Sequence, residues 1–185
     1  LILDYVVTLA VQSAAGVAAI ISTFPELHPW KVQMTLVVIV LLTYGNLRGV
    51  KEAGKAFALP TYFFVGSMAI VFIVGIYRDI VGTLPTLPTD VEGAIPFGSE
   101  QRLLTFAAIF TLLRAFANGG SSLTGLEAIS DGVMLFKTPE QVNARRTLIV
   151  MSSILGTLVL GVSWFAHRIY ALPYEGGTPT VISQI

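Results

Sequence analysis

The chain has 185 residues, with eleven Lys and Arg balancing eleven Asp and Glu, two His and no Cys. It is 54% hydrophobic and 12% charged, with a mean hydropathy of +0.78, whereas a soluble domain carries roughly 25% charge. Half that charge, gathered between hydrophobic blocks, excludes an ordinary water-soluble domain and predicts an all-α membrane protein. Zero net charge offers no footprint for nucleic acid. The absence of thiols removes disulfides, thiolate metal sites and thiol catalysis. His28 and His167 lie near segment ends and far apart in sequence, so no metal site and no cofactor are expected.

The first hydrophobic block runs over 1–24, "LILDYVVTLAVQSAAGVAAIISTF", and stops at "PELHPWK". It has no basic leader and no small-residue cleavage site, so it is not a signal peptide. The chain is expected to be an internal piece of a longer protein. Tyr5, Thr8 and Gln12 recur at i, i+3 and i+7, placing a hydroxyl and amide stripe on one helix face, with Asp4 beside it. Neutral oxygens of this kind suit a small cation or polar solute. They serve equally as hydrogen-bond glue between helices, worth about 0.6 kcal/mol on average.

The second block, 32–47, ends at the charged connector "RGVKEAGK". The third covers 57–81, with Pro60 near its start, where proline is tolerated. A long Pro-, Gly- and Thr-rich connector follows, "GTLPTLPTDVEGAIPFGSE". The fifth block is 147–171, closed by Pro173. At these lengths and without alternation, helices are favoured, because lipid forces backbone groups to pair within the segment. Arg48, Lys51 and Lys55 crowd the second connector, and Lys137, Arg145 and Arg146 the fourth. Lys31, Arg78, Arg102 and Arg168 are dispersed among acids on the other side. The positive-inside rule therefore places the second and fourth connectors in the cytoplasm.

The fourth block, 103–136, spans about 34 residues, well beyond the roughly 20 that one crossing needs. At its centre lies "ANGGSSLTGLEAISDG". Each interior glycine costs roughly 1 kcal/mol relative to alanine, and Asn and Ser compete for backbone hydrogen bonds. The expected outcome is two half-helices, 103–116 and 123–136, joined by an unwound stretch over 118–122 that includes Gly119, Gly120, Ser121 and Ser122. Such breaks are tolerated where they face protein or a wet cavity, and they form the substrate sites of secondary transporters. Thr124, Glu127 and Asp131 follow at i, i+3 and i+7. A carboxylate at bilayer depth costs at least about 2.5 kcal/mol, so it faces a cavity or a partner. Asp131 is either a second acid on that face or an interfacial residue, and Arg114 lies a turn before the break. The competing reading is a kinked helix at a close helix contact, with Ser121 and Gly125 at small-residue spacing.

"DYVVTLAVQSAAG", "LLTYGNLRGVKEAGKAFALPTYFF", "LLRAFANGGSSLTGLEAISDGVMLF" and "TPTVISQI" together resemble the bacterial APC superfamily of amino acid–polyamine–organocation permeases. The nearest branch is the KimA-type proton-coupled potassium importers. That resemblance implies a LeuT-like fold of about twelve helices, of which this chain supplies the third to seventh, in the bacterial plasma membrane. It implies an ion or substrate site at Tyr5, Thr8, Gln12, Gly119, Gly120, Ser121, Ser122, Thr124 and Glu127. Glu127 would be the proton-coupling acid, with Asp131 as a second candidate. Gln12 departs from that branch, which has serine there, and "SDG" departs from its usual "SNG". The implied function is proton-coupled symport of potassium or another small cation by alternating access, without enzymatic chemistry, in a lipid bilayer and with a homodimer as a possible assembly. An amino acid permease of the same superfamily is the alternative, and a channel or a non-transporting sensor ranks below both.

Overall fold

A computed structural model describes residues 2–95, 106–121 and 123–185. The regular structure of the described residues is helical: α1 Ile2–Thr23, α2 Lys31–Leu47, α3 Val50–Val81, α4 Phe106–Ser121, α5 Thr124–Asp131, α6 Glu140–Ile169 and α7 Val181–Gln184. Short 3₁₀ turns at Pro25–Trp30 and Val133–Leu135 join α1 to α2 and follow α5. Among the described residues, four segments are long and apolar enough to cross a membrane: Leu3–Thr23, Pro25–Leu47, Gly54–Val81 and Glu140–Ile169. The chain is thus a multi-pass membrane segment.

Two boundaries differ from the hydrophobic blocks. The third helix begins at Val50 rather than 57, and the last long helix at Glu140 rather than 147. Lys, Glu, Ala and Arg are good helix formers, so charge ends the apolar stretch without ending the helix. Pro60 therefore lies well inside α3 instead of in its first turn. The helix continues through it, and Ala56 loses the N–H that another residue at 60 would offer. The far end of α3 stops at Gly82, whose φ of 73° is the left-handed conformation open to glycine.

Helices that face lipid must satisfy their polar side chains internally. Ser22 Oγ donates to the Ala18 carbonyl at 2.7 Å, and Thr35, Thr43 and Thr61 donate to Lys31, Ile39 and Phe57, each at 2.8 Å. Ser13 is an exception, a buried hydroxyl with no hydrogen-bond partner.

The chain divides into two compact units, one formed by 1–96 and 161–185, the other by 97–160. In the first, α1 packs on α2 and buries Val17, Ala18 and Ile21. There α3 meets the last turns of α6. A Cβ on Gly75 would stand 2.3 Å from the Phe165 ring, and one on Gly161 would stand 2.4 Å from the Phe72 ring. Each glycine is the hole for the other helix's phenylalanine. The two rings stack with centroids 5.6 Å apart, and Trp164 meets Phe165 edge-on at 4.7 Å. One turn further, Arg168 Nε donates to Asp79 Oδ1 at 3.0 Å. The pairs 72–161, 75–165 and 79–168 rise together along both helices, so α3 and α6 run in the same direction.

Loops tie the ends of this unit. Leu87 N donates to the Ile169 carbonyl and Ile95 N to that of Pro173, each at 2.8 Å. The Gln184 amide reads both backbone groups of Leu172: Nε2 donates to its carbonyl at 2.9 Å, and Oε1 accepts from its N–H at 3.2 Å. Thr180 N donates to Ser22 Oγ at 3.0 Å, which holds the start of α7 against α1.

The second unit contains α4, α5 and the first two-thirds of α6. Most of its described large apolar side chains are exposed, Phe106, Leu113 and Phe116 among them.

Candidate binding site

Tyr5 and Thr8 are half-buried on α1, and Gln12 is exposed. Because α1 is unbroken from Ile2 to Thr23, these three share a face as the spacing predicts. Gln12 stands at the edge of that face. With its neighbour Ser13 it also lines a cavity of about 300 Å³ between α1 and α2, whose other walls include Leu9, Gly16 and Val38. Ser13 was not singled out from sequence. The only sign of it is a second polar residue in an otherwise apolar helix.

In the second unit the helix is interrupted, but later than the composition suggests. α4 keeps its helical course through Asn118, Gly119 and Gly120 to Ser121, so the unwound stretch over 118–122 is corrected to the junction between Ser121 and Thr124. Ser122 lies outside the described residues, as do 103–105 of the same block. Two consecutive glycines lower helix stability without abolishing it, and the flanking Leu, Phe and Ala compensate. The second half-helix is also shorter than 123–136: α5 ends at Asp131, Gly132 follows, and Val133–Leu135 tightens into a 3₁₀ turn.

At the junction, Leu123 N donates to the Gly120 carbonyl at 3.0 Å, and the Leu123 carbonyl accepts from Leu126 and Glu127. No side chain caps the start of α5. Thr124 is buried there, and Glu127 lies in the first turn, where the positive end of the helix dipole favours a carboxylate. Glu127 and Asp131 are both exposed, Asp131 as the final helical residue. A Cβ on Gly119, Gly120 or Gly125 would meet nothing within 4 Å. A side chain at any of these three positions would meet no described neighbour.

Chemically, the chain carries two groups of oxygen-bearing side chains: Tyr5, Thr8 and Gln12 in the first unit, Thr124 and Glu127 in the second. Hydroxyls, an amide and one carboxylate suit a weakly held hard cation. Among the described residues, no three of His, Cys, Asp and Glu come together as a metal centre.

Among the described residues, the chain is an all-helical membrane segment with four helices long and apolar enough to span a bilayer and a fifth region interrupted beside a threonine and a glutamate. No protein-family model matches the chain. It is, however, similar over its whole length to Potassium transporter KimA of Bacillus subtilis (strain 168), with 35% identity across 191 aligned residues. That likeness supports a KimA-like segment, and the APC superfamily resemblance is consistent with it. The chain spans 29% of that relative's length.

Proposed function

We propose that this chain is part of a secondary transporter that carries potassium or another small cation, coupled to protons, by alternating access. The observation that carries the reading is the helix interruption between Ser121 and Thr124, with Glu127 one turn further on. Helices broken in this way offer a substrate both backbone dipoles and side chains at one level of the membrane. Tyr5, Thr8 and Gln12 would supply neutral oxygens, and Thr124 and Glu127 a hydroxyl and the negative charge. Gly119, Gly120, Ser121 and Ser122 would contribute backbone groups. The relative's printed name, a potassium transporter, supports the cation over an amino acid, and so does the chemistry. A carboxylate beside the break attracts a cation and repels the carboxylate of an amino acid.

Proton coupling is assigned to Glu127, and a homodimer remains part of the proposal. The test is uptake of rubidium, a potassium surrogate, by the intact transporter in cells lacking other potassium importers. Glu127→Gln is expected to abolish pH-dependent uptake, while Asp131→Asn leaves most of it. Undiminished pH-dependent uptake by Glu127→Gln rejects the assignment. Uptake of an amino acid in place of rubidium by the unmodified transporter rejects the cation.

A further inference from the structure

We propose that the cavity beside Arg78 binds an anionic phospholipid, with an acyl chain inside it and the phosphate on the Arg78 guanidinium. The cavity measures about 310 Å³ and lies wholly within the first unit. Along one side it follows α3 from Ile70 past Val74 to Arg78; Phe165 and Ile169 of α6 form another wall, and Leu84 belongs to the loop beyond α3. Eight steps of 1.5 Å from Ile70 to Arg78 make its α3 wall about 12 Å long. A run of methylenes can lie along a wall of that length.

The lining determines what kind of molecule enters. Among the described residues that line it, Arg78 is the charged side chain, and the Gln184 amide, also in the lining, is held by the backbone of Leu172. Arg78 Nη2 donates to the Thr83 carbonyl at 3.2 Å, which leaves the guanidinium's other donors for a further acceptor. The adjacent Asp79 does not neutralise it, because Asp79 is held by Arg168. Asp90, Glu92 and Glu175, the acids of the neighbouring loops, do not line the cavity. A guanidinium at the mouth of an apolar slot matches a phosphate joined to a hydrocarbon chain, because its planar fork accepts two phosphate oxygens at once.

The depth agrees. Tyr77, Trp164 and Tyr170 stand at the same ends of α3 and α6, and all three are exposed. Aromatic residues with one polar edge gather at the headgroup level of a bilayer. They place Arg78 among headgroups and Ile70 toward the hydrocarbon, the orientation that a phospholipid itself adopts.

The experiment uses the intact transporter, stripped of lipid in detergent and reloaded with equal amounts of phosphatidylglycerol and phosphatidylcholine of identical chains. Native mass spectrometry reads retention, and thermal unfolding reads stabilisation by each lipid. The unmodified protein is expected to retain phosphatidylglycerol about fivefold over phosphatidylcholine, the preference that one interfacial Arg confers. Arg78→Gln, checked by its unfolding midpoint without lipid, brings that ratio close to one. Val74→Trp, which fills the slot, removes one bound lipid of either kind. Glycerol phosphate, which has the headgroup charge without the chains, does not displace the lipid. Equal retention of the two lipids by the unmodified protein, or an unchanged ratio in Arg78→Gln, overturns the proposal. So does a density map in which polypeptide fills the cavity.

Discussion

The contact of α3 with α6 and the junction of α4 with α5 both depend on glycine, for opposite reasons. At Gly75 and Gly161 the missing Cβ is space already taken, since a phenylalanine ring lies 2.3–2.4 Å from where it would be. At Gly119, Gly120 and Gly125 the same space is empty to 4 Å. In the first place glycine lets two helices approach closely, as small residues do in membranes where no hydrophobic drive separates helix from lipid. In the second, no described neighbour takes up the space that a Cβ would fill, beside a threonine and a glutamate. A glycine count alone would treat the two regions alike, although one is packing and the other is the candidate site.

Substitution should separate them. The largest effect is the loss of pH-dependent rubidium uptake in Glu127→Gln, which tests the open region as chemistry. Next, Gly75→Ala and Gly161→Ala should each destabilise the intact transporter by about 1–3 kcal/mol, the usual cost of overpacking, read as a lower unfolding midpoint in detergent. Relief is limited because the two rings stack on each other and Trp164 presses on Phe165. A midpoint unchanged in both variants would mean that the rings move aside freely. Asp79→Asn should cost less, under about 1 kcal/mol, because Arg168 is half exposed and solvent screens the pair. Smallest in stability is Gly120→Ala, expected within about 1 kcal/mol of the unmodified protein and on the stabilising side, as for alanine in an open helix. Its uptake should nevertheless fall, and a variant with both stability and uptake intact would remove Gly120 from the site.

Much of the fold could be read from hydrophobic blocks, because a bilayer leaves a long apolar segment little choice but helix. The interruption was visible in Gly119, Gly120 and the serines after them. Its position was not, because propensity sets how weak a helix is rather than where it yields. The early starts of α3 and α6 were hidden because Lys51, Glu52, Arg145 and Arg146 end a hydrophobic run while still favouring helix. Gly75 and Gly161 were present in the sequence as glycines about one turn from a phenylalanine, Phe72-x-x-Gly75 and Gly161-x-x-x-Phe165. Nothing local states that the two patterns answer each other across more than eighty intervening positions. Gln184 gave no signal at all, since an amide that pairs with the backbone of Leu172 looks like any polar residue near a turn. The stripe of Tyr5, Thr8 and Gln12 followed directly from helical periodicity, whereas the cavity that Gln12 shares with Ser13 required the neighbouring α2.

The shared direction of α3 and the last turns of α6 has a consequence for sidedness. Both helices end, at Gly82 and Ile169, toward the same side of the bilayer. There Leu87 N and Ile95 N donate to the carbonyls of Ile169 and Pro173, so the segments that leave the two helices are stitched to each other on one side of the membrane.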